Sequence, residues 1–326
     1  MRSQGERKDF LGKLVRRELL QAEGGVDDEL QANRDMALRY YFGLPRGDEE
    51  EGRSQVVSTD VADTVNAILA IMRDMLIREA EVGVDPLSDR DEVQAQIEAD
   101  VLNDVLMKDN PGERELLAAL KDALLLKNGC LKVHVQDHEE TEELTVPTDA
   151  QSEQVAAWLD AVGEGEERSV KGDTATVTRM RRRFEVRAVP IENVSYQAAY
   201  QGRLQDIRFF AERLYYTRSE LVEMGLDRAT IDALPGWTDD ATSSAGQVRN
   251  SSYQPGADAE TRDQDQVECH EAYVLVDLDG DGVSERYRVL IASENTCLEY
   301  ERAPLVPYAM GSPFLVPHRL TGESVF

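Results

Sequence analysis

Apolar residues recur at steps of three and four through most of the first 127 residues, then at steps of two through much of the remainder. The clearest helical beat follows Ser58, Thr59 and Asp60, where Val61, Val65, Ile68, Leu69, Met72 and Leu76 share one face. Asp60 and Asp63 lie where carboxylates complement the unpaired N–H groups and dipole of a first helical turn. The polar segment 51–57, with Arg53, reads as an extended lead-in. Before it, Phe10, Leu11, Leu14, Val15, Leu19 and Leu20 predict a helix within 1–24, and a second helix is predicted over 27–42. After it, an extended piece over 82–91 carrying Pro86 leads to a helix over 90–108. Val93, Ile97, Val101, Leu102, Val105 and Leu106 mark that helix's expected buried face. A helix over 113–127 is then stopped by Asn128-Gly129, both of which tolerate positive φ.

Alternation takes over at Cys130 and predicts strands over 130–136, 174–189, 207–216, 267–276, 283–292 and 297–302. Between the first two, residues 137–173 carry twelve acids against Arg168 and Lys171. They read as a solvated excursion, with a short helix at 151–162 holding Trp158. Thr217 and Glu220 have capping-box spacing, and the helix they open ends at Gly225. A second helix runs from Asp227 to Leu234-Pro235-Gly236, forming a small helical pair on the sheet. Residues 237–266 are almost free of aliphatic side chains and read as a mobile loop. The expected fold is α+β: a mainly helical region over 1–129, then an antiparallel β-rich region over 130–236 with the 137–173 insertion. The flexible loop and a β-meander with a proline-rich exit segment, 267–326, complete it.

Length and composition narrow the function. A chain of 326 residues suits one large or two ordinary domains. Its 64 acids and 36 bases leave a net charge of -28, which repels phosphates at long range and disfavours tight nucleic-acid binding. Cys130, Cys269 and Cys297 form no CxxC pair, so reduced, buried thiols are expected. No uncharged apolar run is long enough for a transmembrane helix, and the charged start is unlike a secretory signal. A soluble protein made in the cytoplasm is expected.

The sharpest local motif is Asp277-Leu278-Asp279-Gly280-Asp281-Gly282. Its acids match the first half of a calcium loop, but the twelfth position is Arg288, and strands flank it where helices belong. Two readings stand open: a tight hairpin turn, and a weak calcium site on Asp277, Asp279 and Asp281 with Glu285 as the spare ligand. His134 and His138, with Asp137 and Glu139, could hold a metal or simply end a strand in solvent. Arg179, Arg181, Arg182, Arg183 and Arg187 make strand 174–189 the most basic stretch, either a phosphate patch or a partner for the acidic excursion. His270 and His318 are isolated, and no nucleophile has a spaced partner. No enzyme activity and no cofactor are expected.

Several peptides, in order, resemble the portal (head-to-tail connector) proteins of tailed phages, specifically the large podovirus-type family. They are EGRSQVVSTDVADTVNAIL at 51–69, LKDALLLKNGCLKV at 120–133, RLYYTRSELVEMG at 213–225, YVLVDLDGDGVSERYRV at 273–289 and PHRLTGESV at 317–325. The resemblance implies a ring of about twelve copies at one capsid vertex, made in the host cytoplasm and built into the virion. It implies contacts with the major capsid protein, the terminase motor and a tail or head-completion adaptor. Double-stranded DNA would pass through without sequence recognition. The chain would form the wing of each subunit, with the stem, clip and crown or barrel expected after the terminal motif and absent from this chain. The alternative from the residues alone is an acidic calcium-binding or protein-interaction module built on the DLDGDG turn.

Overall fold

Helices lead and strands follow, in the order the pattern predicts. The computed structural model describes residues 3–24, 29–44, 58–79, 82–88, 90–145, 167–171, 174–236, 265–293 and 295–325. The first helices are α1 (Gln4–Gln21), α2 (Glu29–Tyr41), α3 (Asp60–Glu79), α4 (Glu92–Asp104) and α5 (Gly112–Leu126), with a π-helical turn, Val105–Asp109, between the last two. The start of α3 is the expected one: the Asp63 amide donates to the Thr59 carbonyl at 2.9 Å, and the Asp60 amide to Ser58 Oγ at 3.3 Å. Val65 is fully buried on the predicted face, and Val61, Ile68, Leu69 and Met72 pack against the same core. The Leu76 side chain, segment 51–57, the expected helix at 151–162 and all but the last two residues of the 237–266 loop lie outside the described residues.

Two expectations about the helices are corrected. On α4 the predicted inner face is the outer one: Val93, Ile97, Val101 and Leu102 are exposed, whereas Ala95 and Ala99 are buried. The alanine side of α4 faces a cavity of 880 Å³ also lined by Val82, Val84 and Leu116, and the Asn103 amide fastens the helix by bonding both the amide and the carbonyl of Val82 at 2.8 and 3.2 Å. Only Val105 and Leu106 of the predicted set are half-buried. At the end of α5, positive φ falls on Lys127 (75°) and on neither Asn128 nor Gly129. Asn128 is there for its buried side chain, which donates to the Leu320 carbonyl at 2.9 Å. Gly129 is there for space, because a Cβ at that position would lie 2.0 Å from the Ala119 carbonyl oxygen.

The strands are β1 (Gly129–Thr145), β2 (Glu167–Lys171), β3 (Thr174–Val189), β4 (Val194–Tyr196), β5 (Phe209–Thr217), β6 (Gln266–Val276), β7 (Glu285–Ala292), β8 (Thr296–Arg302) and β9 (Tyr308–Gly311). They form two antiparallel sheets, ordered β2-β3-β1-β9 and β4-β5-β6-β7-β8, each drawing strands from either side of the 237–266 segment. β1 outruns the strand predicted over 130–136, so the acidic excursion opens and closes as a β-ribbon in place of a loop. Register explains this: Asp137 lies opposite Arg182 and bonds it at 3.2 Å, and cross-strand pairing of opposite charge favours continued pairing. β9 was hidden from the pattern by its prolines. The Val133 amide donates to the Pro307 carbonyl at 2.9 Å, and Tyr308 then pairs with Lys132.

Each face of the five-stranded sheet has its own cover. Leu11 and Val15 of α1 pack on Phe209, Ala211, Ala272, Val274, Val289 and Ile291. The opposite face receives the helical pair, α6 (Arg218–Glu223) and α7 (Arg228–Asp232), through Leu221, Ile231 and Leu234. The predicted capping box of Thr217 and Glu220 is formed. α2, α3 and α5 cover the four-stranded sheet around Leu38, Val65, Leu126, Cys130 and Val189. The buried Arg34 of α2 donates to the Leu126 and Ile191 carbonyls at 3.3 and 3.2 Å, supplying donors to the negative end of α5.

Beyond the reach of β2, the outer edge of β3 is closed by side chains. Asn110 accepts from the Val186 amide at 3.0 Å and donates to the Phe184 carbonyl at 2.9 Å, as a neighbouring strand would, and Glu115 accepts from the Ala188 amide at 2.7 Å. Replacing Asn110 with alanine leaves a partly buried donor and acceptor unpaired, which costs about 2–4 kcal/mol. Asn110→Ala is therefore expected to lower the urea midpoint with an unchanged slope; a midpoint equal to that of the parent would refute the edge role.

Candidate functional site

The two sheets meet at paired rows of charge. On the four-stranded sheet, Arg187, Lys132 and Tyr308 occupy adjacent cross-strand positions. On the five-stranded sheet, Glu212 and Glu271 lie directly opposite one another. Like charges placed so are repulsive within either sheet alone. Docking resolves both rows: Lys132 Nζ bonds Glu271 and lies 3.3 Å from Glu212, whose carboxylate also accepts from Arg187 at 2.7 and 2.9 Å and from the Tyr308 hydroxyl at 2.7 Å. Glu271 further accepts from Arg288 at 2.6 Å and from the Tyr273 hydroxyl at 3.0 Å. Arg288 reaches outward to Glu301 at 3.1 Å. Lys132, Glu212 and Glu271 are all buried.

This cluster forms one wall of a cavity of 1460 Å³ between the sheets, whose apolar lining includes Val133, Val135, Phe184, Leu214 and Met224. Burial pushes the Glu271 carboxyl up, but Lys132 and Arg288 outweigh it and hold the pKa at about 2. Burial and Glu271 together raise the Tyr273 hydroxyl well out of the ordinary range. A Glu271 carboxylate kept ionised and phenols at Tyr273 and Tyr308 kept protonated suit a clamp between layers better than proton transfer.

The residues singled out from the sequence are dispersed. Asp277, Asp279 and Asp281 do come together, with one carboxylate oxygen from each within 4.8 Å of the others. Their first occupation is the turn itself: Asp277 accepts from the Gly280 and Gly282 amides at 2.6 and 2.9 Å, and Asp281 from Val283 at 2.7 Å. The Gly280 amide is the main influence lowering the Asp277 pKa. Glu285 bonds Tyr287 and Arg302, and Arg288 belongs to the inter-sheet cluster. His134 Nε2 lies 3.4 Å from Glu185, and Asp137 bonds Arg182; the side chains of His138, Glu139 and Arg179 fall outside the described residues. Arg181 and Arg183 are exposed on the ribbon, whereas Arg187 turns inward. His318 is exposed. All three cysteines are free and buried, and burial raises Cys130 and Cys269 to about 12 and Cys297 to about 11. Lys132, Glu212 and Glu271 were missed; Glu212 interrupts the inward set Phe210 and Leu214, and Glu271 the set Cys269 and Tyr273, whereas Lys132 shares its face with His134 and Gln136.

The terminal segment fastens the helical layer to both sheets. Thr321 bonds the Tyr196 hydroxyl and lies 3.2 Å from Glu23, Leu320 accepts from Asn128, and the Val325 amide donates to the Leu124 carbonyl at 3.0 Å. Removing Lys132 leaves two facing carboxylates short of a cation. Lys132→Met is expected to destabilise the protein by about 3–5 kcal/mol in chemical denaturation. Acid should act in two stages. Burial, then Arg213 and Arg16, hold His270 down to about 3, so the unfolded chain takes up a proton from 6.5 downward that the folded chain refuses. Stability is therefore complete above 6.5 and declines as pH falls toward 3. The Glu271 contribution is complete above 4.5 and is lost as pH falls through about 2. Urea midpoints across this range should decline below pH 6.5 and more steeply below 4.5. His270→Gln should flatten the first stage; a parent midpoint constant from pH 6.5 to 4.5 would contradict the assignment.

No helix among the described residues is long and apolar enough to cross a membrane. No curated protein matches the chain. A family model does, and it runs through both sheets, the inter-sheet clamp and the terminal fastening segment. Residues 11–326 match the family described as Phage SU10 portal protein, and the chain belongs to that family of phage portal proteins.

Proposed function

We propose that this portal subunit assembles into a closed ring of about twelve copies at one capsid vertex. The ring passes double-stranded DNA inward during packaging and outward during ejection. The terminase motor docks on it during filling, a tail or head-completion adaptor afterwards, and the major capsid protein surrounds it. The observation that carries this reading is the family match over 11–326, which takes in nearly every described element. The role is mechanical and needs no catalytic residue, consistent with a clamp in which Lys132, Arg187 and Arg288 are engaged with Glu212 and Glu271.

The net charge of -28 supports a passage over a binder. A strongly cationic wall would hold phosphates through counterion release and retard a moving duplex. Electron microscopy of the purified protein at high concentration is expected to reveal closed rings; monomers alone under all conditions would refute the reading. Gel-shift measurements at about 0.15 M salt should detect little retention of duplex DNA of any sequence.

A further inference from the structure

The helical layer carries two surfaces that fit each other. The first is the outer face of α4. Val93, Ile97 and Val101, spaced four residues apart, form a stripe along one side of the helix and are 73%, 51% and 56% exposed. Acids line this stripe: at 100° per residue Asp100 and Asp104 border it on one side and Glu98 on the other. From Glu92 to Asp104 the helix contains four acids and no base. An amphipathic helix whose large aliphatic residues face outward has its partner elsewhere.

The second surface is a groove of 320 Å³ between α3 and α5. Its floor is Leu69, Ala70, Leu117 and Ala118, and its charged rim is Arg73 and Lys121. Arg73 lies 2.9 Å from Glu113, and Lys121 stands 4.5 Å over the Tyr41 ring. Small residues on the floor admit a helix closely, and both rim charges are positive. Apolar stripe matches apolar floor, and acidic flank matches basic rim. Within one chain the stripe cannot reach this groove, because α4 faces Val82, Val84 and Leu116 with its opposite, alanine side.

We propose that α4 of one copy docks, apolar stripe inward, in the α3/α5 groove of the next copy. This deepens the ring reading and rests on it. The contact is heterologous, with different surfaces on the two sides, so it can propagate from copy to copy and close at a fixed rotation. It is a helix-in-groove interaction, with Ile97 as the central anchor and the acidic flank setting orientation.

Cross-linking between differently marked copies tests it. Full-length chains carrying Ile97→Cys and Ala118→Cys are purified separately, mixed and treated with a short bismaleimide. The native thiols are buried, with pKa values raised to about 11 or 12, and leave the reagent to the introduced pair. A covalent dimer is expected from the mixture, and none from Ala118→Cys alone. In parallel, Ile97→Asp should weaken association at least tenfold by light scattering while its circular dichroism matches the parent. Rings that form without the cross-link and survive Ile97→Asp would overturn the docking, assign the stripe to another partner protein and leave the ring intact. A cross-linked pair in a protein that never closes rings would keep the docking and overturn the ring. Absence of any parent association overturns both.

Discussion

Two rows of like charge, each unfavourable on its own sheet, are the constraint on which the architecture depends. Arg187 and Lys132 sit side by side on one layer, and Glu212 and Glu271 sit opposite one another on the other. Arg288 of the same sheet partners Glu271, but Glu212 and Lys132 take their counter-charges from the other layer, and an unpaired buried charge costs several kcal/mol after relaxation. The layers must therefore arrive together. An apolar interface of the same area would tolerate sliding, since burial is nearly direction-free. Bonds from Lys132 to two carboxylates, and from Arg187 and Tyr308 to Glu212, are lost by a shift of even one residue. The cluster spends stability to define a unique relation between the layers, which suits a part that must repeat identically.

The edges of the sheets obey a related logic. β1 and β3 continue beyond the body as a ribbon whose pairing is held in register by acid opposite arginine. Where β2 no longer reaches, Asn110 and Glu115 complete the backbone bonds of β3. An open edge in a protein present in many adjoining copies invites pairing in the wrong register. Closing it with side chains leaves exposed apolar faces, that of α4 among them, for contacts between copies.

Much of the fold was legible because periodicity reports burial. α3, α5, β3 and the β6–β8 meander follow their predicted spans closely. Periodicity failed where burial has another source. On α4 the alanines make the intrachain contact, so the large aliphatic residues that dominate a pattern reading mark the wrong side. β9 follows prolines, and its pairing depends on β1, about 180 residues earlier in the chain. The clamp was illegible for a deeper reason. Lys132, Glu212 and Glu271 each look like an ordinary polar position in an alternating strand, and only three-dimensional register discloses that all point into one interior. Among the conspicuous charges, Arg182 bonds Asp137 on the neighbouring strand and Asp277 accepts from amides of its own turn, whereas Arg187 joins the clamp.

Net charge then decides what kind of contact can join copies. Each chain of net charge -28 repels its neighbour, and bringing many together concentrates that repulsion around a closed assembly. Screening at physiological salt confines the penalty to separations of about 8 Å or less. Association is therefore favoured only where apolar area is buried and the local charge is of opposite sign, whatever the overall sum. The pair formed by Arg73 and Lys121 over an apolar floor is therefore a selective place for an acidic helix. The same repulsion that keeps isolated chains apart penalises every orientation that lacks such a match, so specificity of assembly follows from the charge that seems to oppose it.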